Sequence, residues 1–538
     1  MINKVKLSVL CIILTCFFVS CSSLKQPSKI AEPINYSDEE VVQVEIDRIY
    51  ALMPSEPVRA LWRAHLLGRE EVIARTQNNL EKLFEKSLGE KEYFEAKKYY
   101  TSLTSVGWKS DKYSYKEIES LCAQDIPVLR SNKGQLPKNL NDCMNATVTI
   151  WLDRGLKVQN GAGYADIVIG SGFFIDSRGY IITNYHVIDS MVDPKYEGYS
   201  RLYVKMLEDP DTRIPAKVIG YDSILDMALL KVEIEPKFVL NLGSSSDLQI
   251  GDKVSAIGTP IGLEGTLTSG IISSTDRKLF TLGNVFQIDA AVNSGNSGGP
   301  LIDQNMNVQA IVFAGMLRYQ GLNFAIPVEY LRQELNLMYS SGEVIHPWIA
   351  CYGHTKRNGK KKSGLEIQYV LPGGSAFVSH LKPGDVITQV DGKAINSLED
   401  FQFLMMAYEP ETILQCTYID SEGTVKNILI YLETRPESPN VTVLESDLVC
   451  NAFVPVFGMQ LLASSTLNRN SYTIEHIIKG GTADELSFSE NDAVTVKDIK
   501  INKNDEYIMT QIFTKRRKKG FLDVTMVLSA AFDNPYYF

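Results

Sequence analysis

Residues 289–302, DAAVNSGNSGGPLI, decide how this chain is interpreted. Three glycines and a proline lie there between apolar residues, and glycine reaches positive φ, so the pattern predicts a tight loop. An ordinary hairpin turn would make no use of Ser297 or of the backbone N–H groups around it. A nucleophilic serine would use both, because it needs donors beside it to stabilise a developing oxyanion. The loop therefore predicts a candidate nucleophile, which requires a base and an acid elsewhere.

Candidates for the base and the acid lie upstream of this loop. His186 ends the stretch GSGFFIDSRGYIITNYHVI and is the only histidine between residues 140 and 340. Asp226 begins the apolar run in YDSILDMALLKV. Each has an ordinary structural alternative, since a histidine after a strand is often structural and an aspartate can cap a turn. Together, in the order His186, Asp226 and Ser297, they predict a catalytic triad.

The motifs around these residues resemble the HtrA/DegP branch of the chymotrypsin-fold, trypsin-like serine proteases. GSGFFID, TNYHVI, DMALLKV, AIGTPIGLEGTLTSGIIS, GNSGGPLI and GLNFAIP occur in the family's order over residues 170–327. The resemblance implies two Greek-key β-barrels with the active site in the cleft between them. It also implies that no metal or organic cofactor is needed. The implied oxyanion hole consists of Gly295, Asn296 and Ser297.

The specificity pocket can be predicted from Ala291. It lies six residues before Ser297, where trypsin-like enzymes that cleave after lysine or arginine carry an aspartate. An alanine there predicts an uncharged S1 pocket that prefers small or medium apolar residues. Ser294 stands where relatives often have proline, and we expect little effect from this difference.

The last third of the chain contains an internal repeat. GGSAFVSHLKPGDVI, from Gly373, aligns without gaps with GGTADELSFSENDAV, from Gly480. The first copy, residues 344–435, resembles a PDZ domain, a module that binds a peptide C-terminus as an added strand. The second copy, residues 445–538, has END in place of PGD and is expected to be a degenerate PDZ-like domain.

The peptide-binding loop of the first copy is expected in the stretch WIAC, where relatives have sequences such as WLGI. Ala350 stands at the usual glycine, which leaves two alternatives open: the domain binds peptide C-termini, or it only packs on the protease. The predicted binding residues are Trp348, Ile349, Ala350 and Cys351.

The N-terminus resembles a bacterial lipoprotein signal. Basic MINKVK precedes an apolar core at residues 7–19, and FVSC ends at Cys21. Residues 1–20 are therefore expected to be a signal peptide, Cys21 a lipidated residue, and residues 21–36 a tether. The alternative is plain secretion without a lipid.

The remaining sequence completes a multidomain fold class. A chain of 538 residues predicts three to four domains. Residues 37–130 predict a helical domain with a weak tetratricopeptide-like pattern and a break at Gly89. Residues 140–340 predict the all-β double-barrel protease domain, which two PDZ-like α+β domains follow. Cys122 and Cys143 could form a disulfide or remain free thiols, and both alternatives stay open.

These features predict a serine endopeptidase of the bacterial cell envelope, lipid-anchored on the periplasmic side or at the cell surface. Its expected partners are misfolded or exported proteins, peptide C-termini at the PDZ domain and the membrane. Relatives commonly trimerise, which implies a homotrimer. The net charge of −10 argues against nucleic acid. The alternative is a lipid-anchored scaffold or chaperone-like binder with vestigial proteolysis.

Overall fold

A computed structural model describes residues 27, 30–123, 135–159, 161–259, 265–279, 281–293, 295–315, 322–464, 470–516 and 522–538. The predicted signal peptide and Cys21 lie outside the described residues, and so does Ser294. The chain divides into two compact units. One contains residues 45–347 and 399–415, and the other contains the remaining described residues.

The N-terminal region is helical, as the sequence predicts, but its helices end elsewhere. The predicted break at Gly89 lies two residues before the observed turn, because the helix ends at Glu90 and Lys91 has a left-handed φ of 64°. The chain also turns at Gly68, with a φ of 72°, where no break was predicted. No helix in the described part of the chain is long and apolar enough to cross a membrane. The helices are α1 (Glu39–Leu52), α2 (Pro57–Leu67), α3 (Glu70–Glu90), α4 (Tyr93–Ser105), α5 (Tyr115–Cys122) and α6 (Leu140–Asn145).

Two closed barrels follow, which confirms the predicted double-barrel protease fold. The first barrel consists of β1 (Thr147–Gln159), β2 (Ala162–Asp176), β3 (Tyr180–Thr183), β4 (Arg201–Met206), β5 (Asp209–Asp222) and β6 (Met227–Val232), with helix α7 (Tyr185–Val192) after β3. The second consists of β7 (Lys253–Gly258), β8 (Thr266–Arg277), β9 (Val285–Ile288), β10 (Pro300–Ile302), β11 (Val308–Gly315) and β12 (Asn323–Pro327), and helix α8 (Val328–Ser341) closes the domain. The strand order is β1-β2-β3-β6-β5-β4 in the first barrel and β10-β11-β12-β9-β8-β7 in the second.

Apolar strand patterns in the sequence account for the barrel cores. The last seven residues of β2, residues 170–176, are all buried. Phe174, Ile181 and Leu230 pack in the core of the first barrel, and Ile288 and Ala310 lie in that of the second. Burying such side chains supplies most of the free energy of folding. The strand ends, which carry the predicted triad, are thereby held on a rigid framework.

A polar trio is buried beside α8. Asp222, Glu334 and His346 are at most 4% exposed, and Asp222 Oδ2 lies 2.9 Å from His346 Nε2. Burial alone would raise the pKa of Asp222, but the charge and hydrogen bond of His346 outweigh it and hold the pKa at about 2. Burial raises the pKa of Glu334 well above its usual value. Donor atoms of the three side chains lie within 4.8 Å of one another, close enough for a metal ion. Because Asp222 and His346 already bond each other, we interpret these two residues as a buried hydrogen-bonded pair beside Glu334.

The C-terminal repeat forms two PDZ domains, as the sequence predicts. The first contains β13 (Pro347–Trp348), β14 (Cys351–Asn358), β15 (Lys361–Val370), α9 (Ser375–Val378), β16 (Val386–Val390), β17 (Lys393–Ala394), α10 (Leu398–Met405), β18 (Ile413–Ile419), β19 (Val425–Tyr431) and β20 (Glu433–Thr434). The second contains α11 (Pro439–Ser446), α12 (Val449–Phe457), β21 (Met459–Ala463), β22 (Ser471–Ile477), α13 (Thr482–Glu485), β23 (Ala493–Asn502), β24 (Tyr507–Arg516) and β25 (Leu522–Ala531).

The turn at PGD in the first copy is reproduced at END in the second. Gly384 and Asn491 both have positive φ, 96° and 68°. The Gly384 N–H donates to the Ile367 carbonyl, and the Asn491 N–H donates to the Ile474 carbonyl, both at 2.8 Å. Asparagine tolerates the left-handed region better than most residues. The exchange of glycine for asparagine therefore preserves the turn.

The described cysteines beyond the N-terminus are free thiols. Cys122 and Cys143, for which the sequence left a disulfide open, are each buried and unpaired with another cysteine.

Candidate active site

His186 and Asp226 are held together at one end of the first barrel. Strands β3 and β6 pair, with Thr183 opposite Ala228, so the turns that follow β3 and precede β6 are neighbours. Asp226 Oδ2 lies 2.8 Å from His186 Nδ1, and Asp226 Oδ1 accepts the His186 backbone N–H at 2.9 Å. The Asn184 side-chain amide donates to the Asp226 carbonyl at 2.8 Å. The carboxylate therefore orients both the ring and the backbone of the histidine.

The surroundings of His186 favour its protonated form. Burial by itself lowers the pKa of the imidazole, but the hydrogen bond and the charge of Asp226 outweigh burial, and the net pKa is raised above 6.5. The side chain is 46% exposed, so the ring remains accessible from solvent. With Nδ1 bonded to the carboxylate, Nε2 is the nitrogen left to exchange a proton.

Backbone contacts anchor the loop that carries Ser297 on the first barrel. The Ser171 N–H of β2 donates to the Ser297 carbonyl at 2.8 Å. Gly298 has a φ of 86°, and a Cβ there would lie 2.2 Å from the Ser171 carbonyl oxygen and 2.3 Å from Thr183 Oγ1. Only glycine permits this approach. The loop that carries Ser297 is thus packed against the strand end that precedes His186.

The Ser297 hydroxyl has a partner other than His186. Its Oγ donates to the Phe313 carbonyl of β11 at 3.1 Å. No hydrogen bond joins Ser297 to His186 within the part of the chain that the structure describes. His186 and Asp226 therefore form a bonded pair, and the Ser297 hydroxyl bonds a different acceptor.

Some backbone N–H groups of the same loop already donate hydrogen bonds within the protein, and others do not. The Asn296 N–H donates to the Asn293 carbonyl at 3.0 Å, and the Gly298 N–H donates to the Val312 carbonyl at 2.7 Å. For the N–H groups of Gly295 and Ser297, no acceptor is found among the described residues. Gly295 has a φ of 102°, which again requires glycine.

Ala291, the predicted specificity residue, lies in the segment between β9 and β10. Its side chain is exposed, and its carbonyl accepts the Thr268 hydroxyl at 2.8 Å. The neighbouring Ala290 carbonyl accepts the side-chain amide of buried Asn323 at 2.8 Å. The nearby Asp289 carboxylate accepts the Ile271 N–H at 2.6 Å, so it is directed to its own sheet.

The predicted peptide-binding loop of the first PDZ domain is buried, and Ala350 has a φ of 64°. Its carbonyl accepts the Leu371 N–H at 2.9 Å, and its methyl group faces Gly374, where a Cβ would lie only 2.4 Å away. A glycine opposite therefore makes room for alanine at this position.

Sequence reasoning missed the equivalent loop of the second copy. Gly458 has a φ of 74°, and its carbonyl accepts the Ile478 N–H at 2.9 Å, which matches Ala350 in the first copy. Spacing could have found it, since Gly458 lies 22 residues before Gly480 and Ala350 lies 23 before Gly373. The usual glycine is thus present in the copy that the sequence analysis considered degenerate.

Four segments of the chain match known protein families. Residues 170–311 match a trypsin-like peptidase domain and residues 352–414 a PDZ domain. Residues 440–532 match a TP0546 family PDZ domain, and residues 40–122 match a domain of unknown function, DUF8517.

Several known proteins are similar to this chain. A probable periplasmic serine endoprotease DegP-like of Bartonella henselae is 37% identical over 289 residues, which cover 51% of this chain and 55% of that protein. The protein of the same description from Marinomonas sp. is 30% identical over 342 residues, which cover 61% and 70%. A solved structure, the HtrA-type protease AlgW with tripeptide, is 26% identical, with 55% of this chain and 95% of that chain covered and a TM-score of 0.45.

The match to the Bartonella protein spans only about half of that relative. The Marinomonas match spans more than two thirds of its relative, and the peptidase and PDZ domains occur in matching order. The chain belongs to the family of DegP-like, HtrA-type serine endoproteases.

Proposed function

We propose that this protein is a serine endopeptidase in which Ser297 is the nucleophile, His186 the general base and Asp226 the residue that orients it. One observation carries the proposal: Asp226 bonds both the ring and the backbone of His186. A carboxylate in this position holds one imidazole tautomer and stabilises the imidazolium that forms during attack.

The reaction would begin with a rotation of the Ser297 side chain. Its hydroxyl exchanges the Phe313 carbonyl for His186 Nε2, gives up its proton there, and Oγ bonds to the carbonyl carbon of the scissile peptide. His186 then returns the proton to the leaving amine nitrogen as the C–N bond breaks, which leaves an acyl-enzyme. Water, deprotonated by His186, hydrolyses the acyl-enzyme and restores the serine.

The negative charge that develops on the substrate oxygen requires donors. We assign the oxyanion hole to the N–H groups of Gly295 and Ser297. Asn296, which the sequence analysis included, has its N–H bonded to the Asn293 carbonyl. One such donor is typically worth about 3–4 kcal/mol of transition-state stabilisation.

Cleavage is expected after small or medium apolar residues such as valine, alanine and isoleucine. Ala291 contributes no charge, and the Asp289 carboxylate is bonded to the Ile271 N–H. A lysine or arginine side chain would therefore be buried without a charged partner. Mass-spectrometric mapping of cleavage sites in casein tests this preference.

We further propose that the enzyme acts on misfolded or exported proteins in the cell envelope and is anchored through a lipid on Cys21. The names of the relatives place those proteins in the periplasm, and FVSC supports lipidation. Acyl chains would supply most of the membrane affinity, so Cys21→Ser should move the protein from the membrane fraction to the soluble fraction. Size-exclusion chromatography with light scattering tests the homotrimer that the resemblance implies.

Peptide binding at the first PDZ domain is proposed to regulate the protease. Residues 399–415, with most of α10, belong to the same compact unit as the barrels. Phe403 lies 6.2 Å from Tyr330 of α8, measured between ring centroids, and Glu399 pairs with Lys278 at 3.2 Å. A peptide with an apolar free C-terminus should raise cleavage of a small reporter substrate, and its amidated form should do much less.

Activity-based labelling provides the decisive test of the proposed function. The purified protein should react with a fluorophosphonate probe and hydrolyse casein, and Ser297→Ala should abolish both. Ser246→Ala is the matched control, because Ser246 is an exposed serine of the same domain, and it should leave both intact. Absence of labelling in the unmodified protein would instead favour the scaffold alternative.

A further inference from the structure

The outer edge of β14 in the first PDZ domain carries another part of the same chain. Strand β14 is an edge of its sheet, and its inner side pairs with β15. On its outer side, the Cys351 N–H donates to the Phe538 carbonyl and the Phe538 N–H to the Cys351 carbonyl, both at 3.0 Å. The Gly353 N–H donates to the Tyr536 carbonyl at 3.1 Å. Residues 536–538 thus form an added antiparallel strand beside the predicted peptide-binding loop.

The side chains of this added strand are well packed. Tyr537 is 0% exposed and Phe538 is 3% exposed. The ring of Tyr537 meets those of Trp348 and Tyr352 edge-to-face, with centroids 6.2 and 5.6 Å apart. Tyr536 stacks on His354 at 4.0 Å. Burial of these two large aromatic side chains favours the docked state.

Polar contacts from both PDZ repeats position the strand. The buried Arg435 guanidinium pairs with Asp533 at 2.7 Å. Asn534 donates its side-chain amide to the Pro455 carbonyl at 3.0 Å, and the Tyr537 hydroxyl donates to Asn440 Oδ1 at 2.6 Å. These contacts hold Asp533 and Asn534, which lead into the strand, and Tyr537 at its centre. The docked position is therefore specific.

PDZ domains bind ligands by this same mode, in which a peptide adds to the edge strand next to the binding loop. We infer that residues 536–538 are an internal ligand that closes the peptide-binding edge of the first PDZ domain. External ligands must displace this segment, and those able to do so are peptides that end in aromatic residues comparable to Tyr537 and Phe538. The inference rests on the proposed peptide binding by this domain and extends it to a competition within the chain.

The competition has a measurable consequence. A ligand that binds only the open state has an apparent affinity reduced by the open fraction, and a tethered competitor acts at an effective concentration of about millimolar. Removing residues 536–538 should therefore strengthen binding of an external peptide by about tenfold or more.

The test uses the full chain carrying Ser297→Ala and a fluorescent peptide with the sequence AFDNPYYF. Anisotropy should report weak binding to this protein and at least about tenfold tighter binding to a variant truncated after Pro535. A peptide with alanine at its last two positions should bind neither. Hydrogen exchange at the Cys351 and Gly353 amides should be slow in the full chain, fast after truncation, and slow again when the peptide is added.

A second variant guards against misfolding of the truncated protein. Asp533→Asn weakens the pairing with Arg435 while it keeps every residue, and it should also strengthen peptide binding. Asp498→Asn removes a partly exposed pairing with Lys500, distant in sequence from residues 536–538, and should change nothing. Equal peptide affinity in all variants, absence of binding in all of them, or unchanged amide exchange after truncation would overturn the inference. None of these measurements depends on hydrolysis, so a failed protease assignment would leave them interpretable.

Discussion

The contact between Gly298 and the first barrel yields the sharpest test of how Ser297, the proposed nucleophile, is positioned. In Gly298→Ala, the new Cβ would lie 2.2 Å from the Ser171 carbonyl oxygen, 2.3 Å from Thr183 Oγ1 and 3.0 Å from the Asn184 nitrogen. Two of these three atoms are backbone, so the loop itself must move. Movement of that loop separates Ser297 from His186.

The expected magnitude has two parts. A left-handed φ costs a residue with a Cβ roughly 1–2 kcal/mol, and overpacking of a tight contact adds about 1–3 kcal/mol. Gly251→Ala isolates the first part, because Gly251 has a similar φ of 97° but no heavy atom within 4 Å of the new Cβ. Gly298→Ala should therefore destabilise the protease domain by about 2–5 kcal/mol and Gly251→Ala by about 1–2 kcal/mol.

Calorimetry of the protease transition and kcat/KM on a peptide substrate measure the two effects. A displacement of the nucleophile by about 1 Å can cost about 10²-fold in rate, so Gly298→Ala should lose at least that much activity. Gly251→Ala should retain nearly full activity. If Gly298→Ala matched Gly251→Ala in both measurements, the close approach would not be what positions Ser297.

Three further predictions concern charged groups. The kcat/KM should fall as pH drops through the raised pKa of His186, and Asp226→Asn should lower activity by about 10⁴-fold and shift this limb to lower pH, because burial still lowers the pKa of His186 while the raising effects of Asp226 are lost. His346→Gln should cost about 3–5 kcal/mol of stability by leaving a buried carboxylate unpaired, whereas the control His476→Gln, in an exposed pair, should cost at most about 1 kcal/mol. Ala291→Asp should add cleavage after lysine and arginine, and an unchanged cleavage map would show that Ala291 does not line the S1 pocket.

The features that the sequence predicted well depend on local patterns. Apolar runs between turns predicted the two barrels, because each run buries one strand in a barrel core. The turn at Gly384 in the first copy has an equivalent at Asn491 in the second. It was predictable from the aligned sequences because both residue types tolerate a left-handed φ. His186 and Asp226 were predicted as partners from motifs at strand ends, and the pairing of β3 with β6 brings those ends together.

Helix ends in the N-terminal region were less predictable. Gly89 marks the end of α3 only approximately, since the helix continues to Glu90, and Gly68, which ends α2, was not predicted to do so. The actual ends are at Gly68 and Lys91. A lysine with a φ of 64° is uncommon and leaves no signal in the sequence.

The occupied edge of β14 could not be predicted for a different reason. Strand addition uses backbone N–H and C=O groups, which every residue carries, so residues 536–538 show no complementary motif in sequence. The substitution at Ala350 even pointed away from a functional loop. In the structure, the room for its methyl group comes from Gly374, which is distant along the chain. Whether this loop can adopt the peptide-binding conformation therefore depends on Ala350 and Gly374 together. The identity of residue 350 alone does not decide it. The same reasoning applies to Gly458, whose close neighbour is Gly481. The loops at Ala350 and Gly458 both keep the left-handed turn. Among the residues described, only the loop at Ala350 has a strand from its own chain bound beside it.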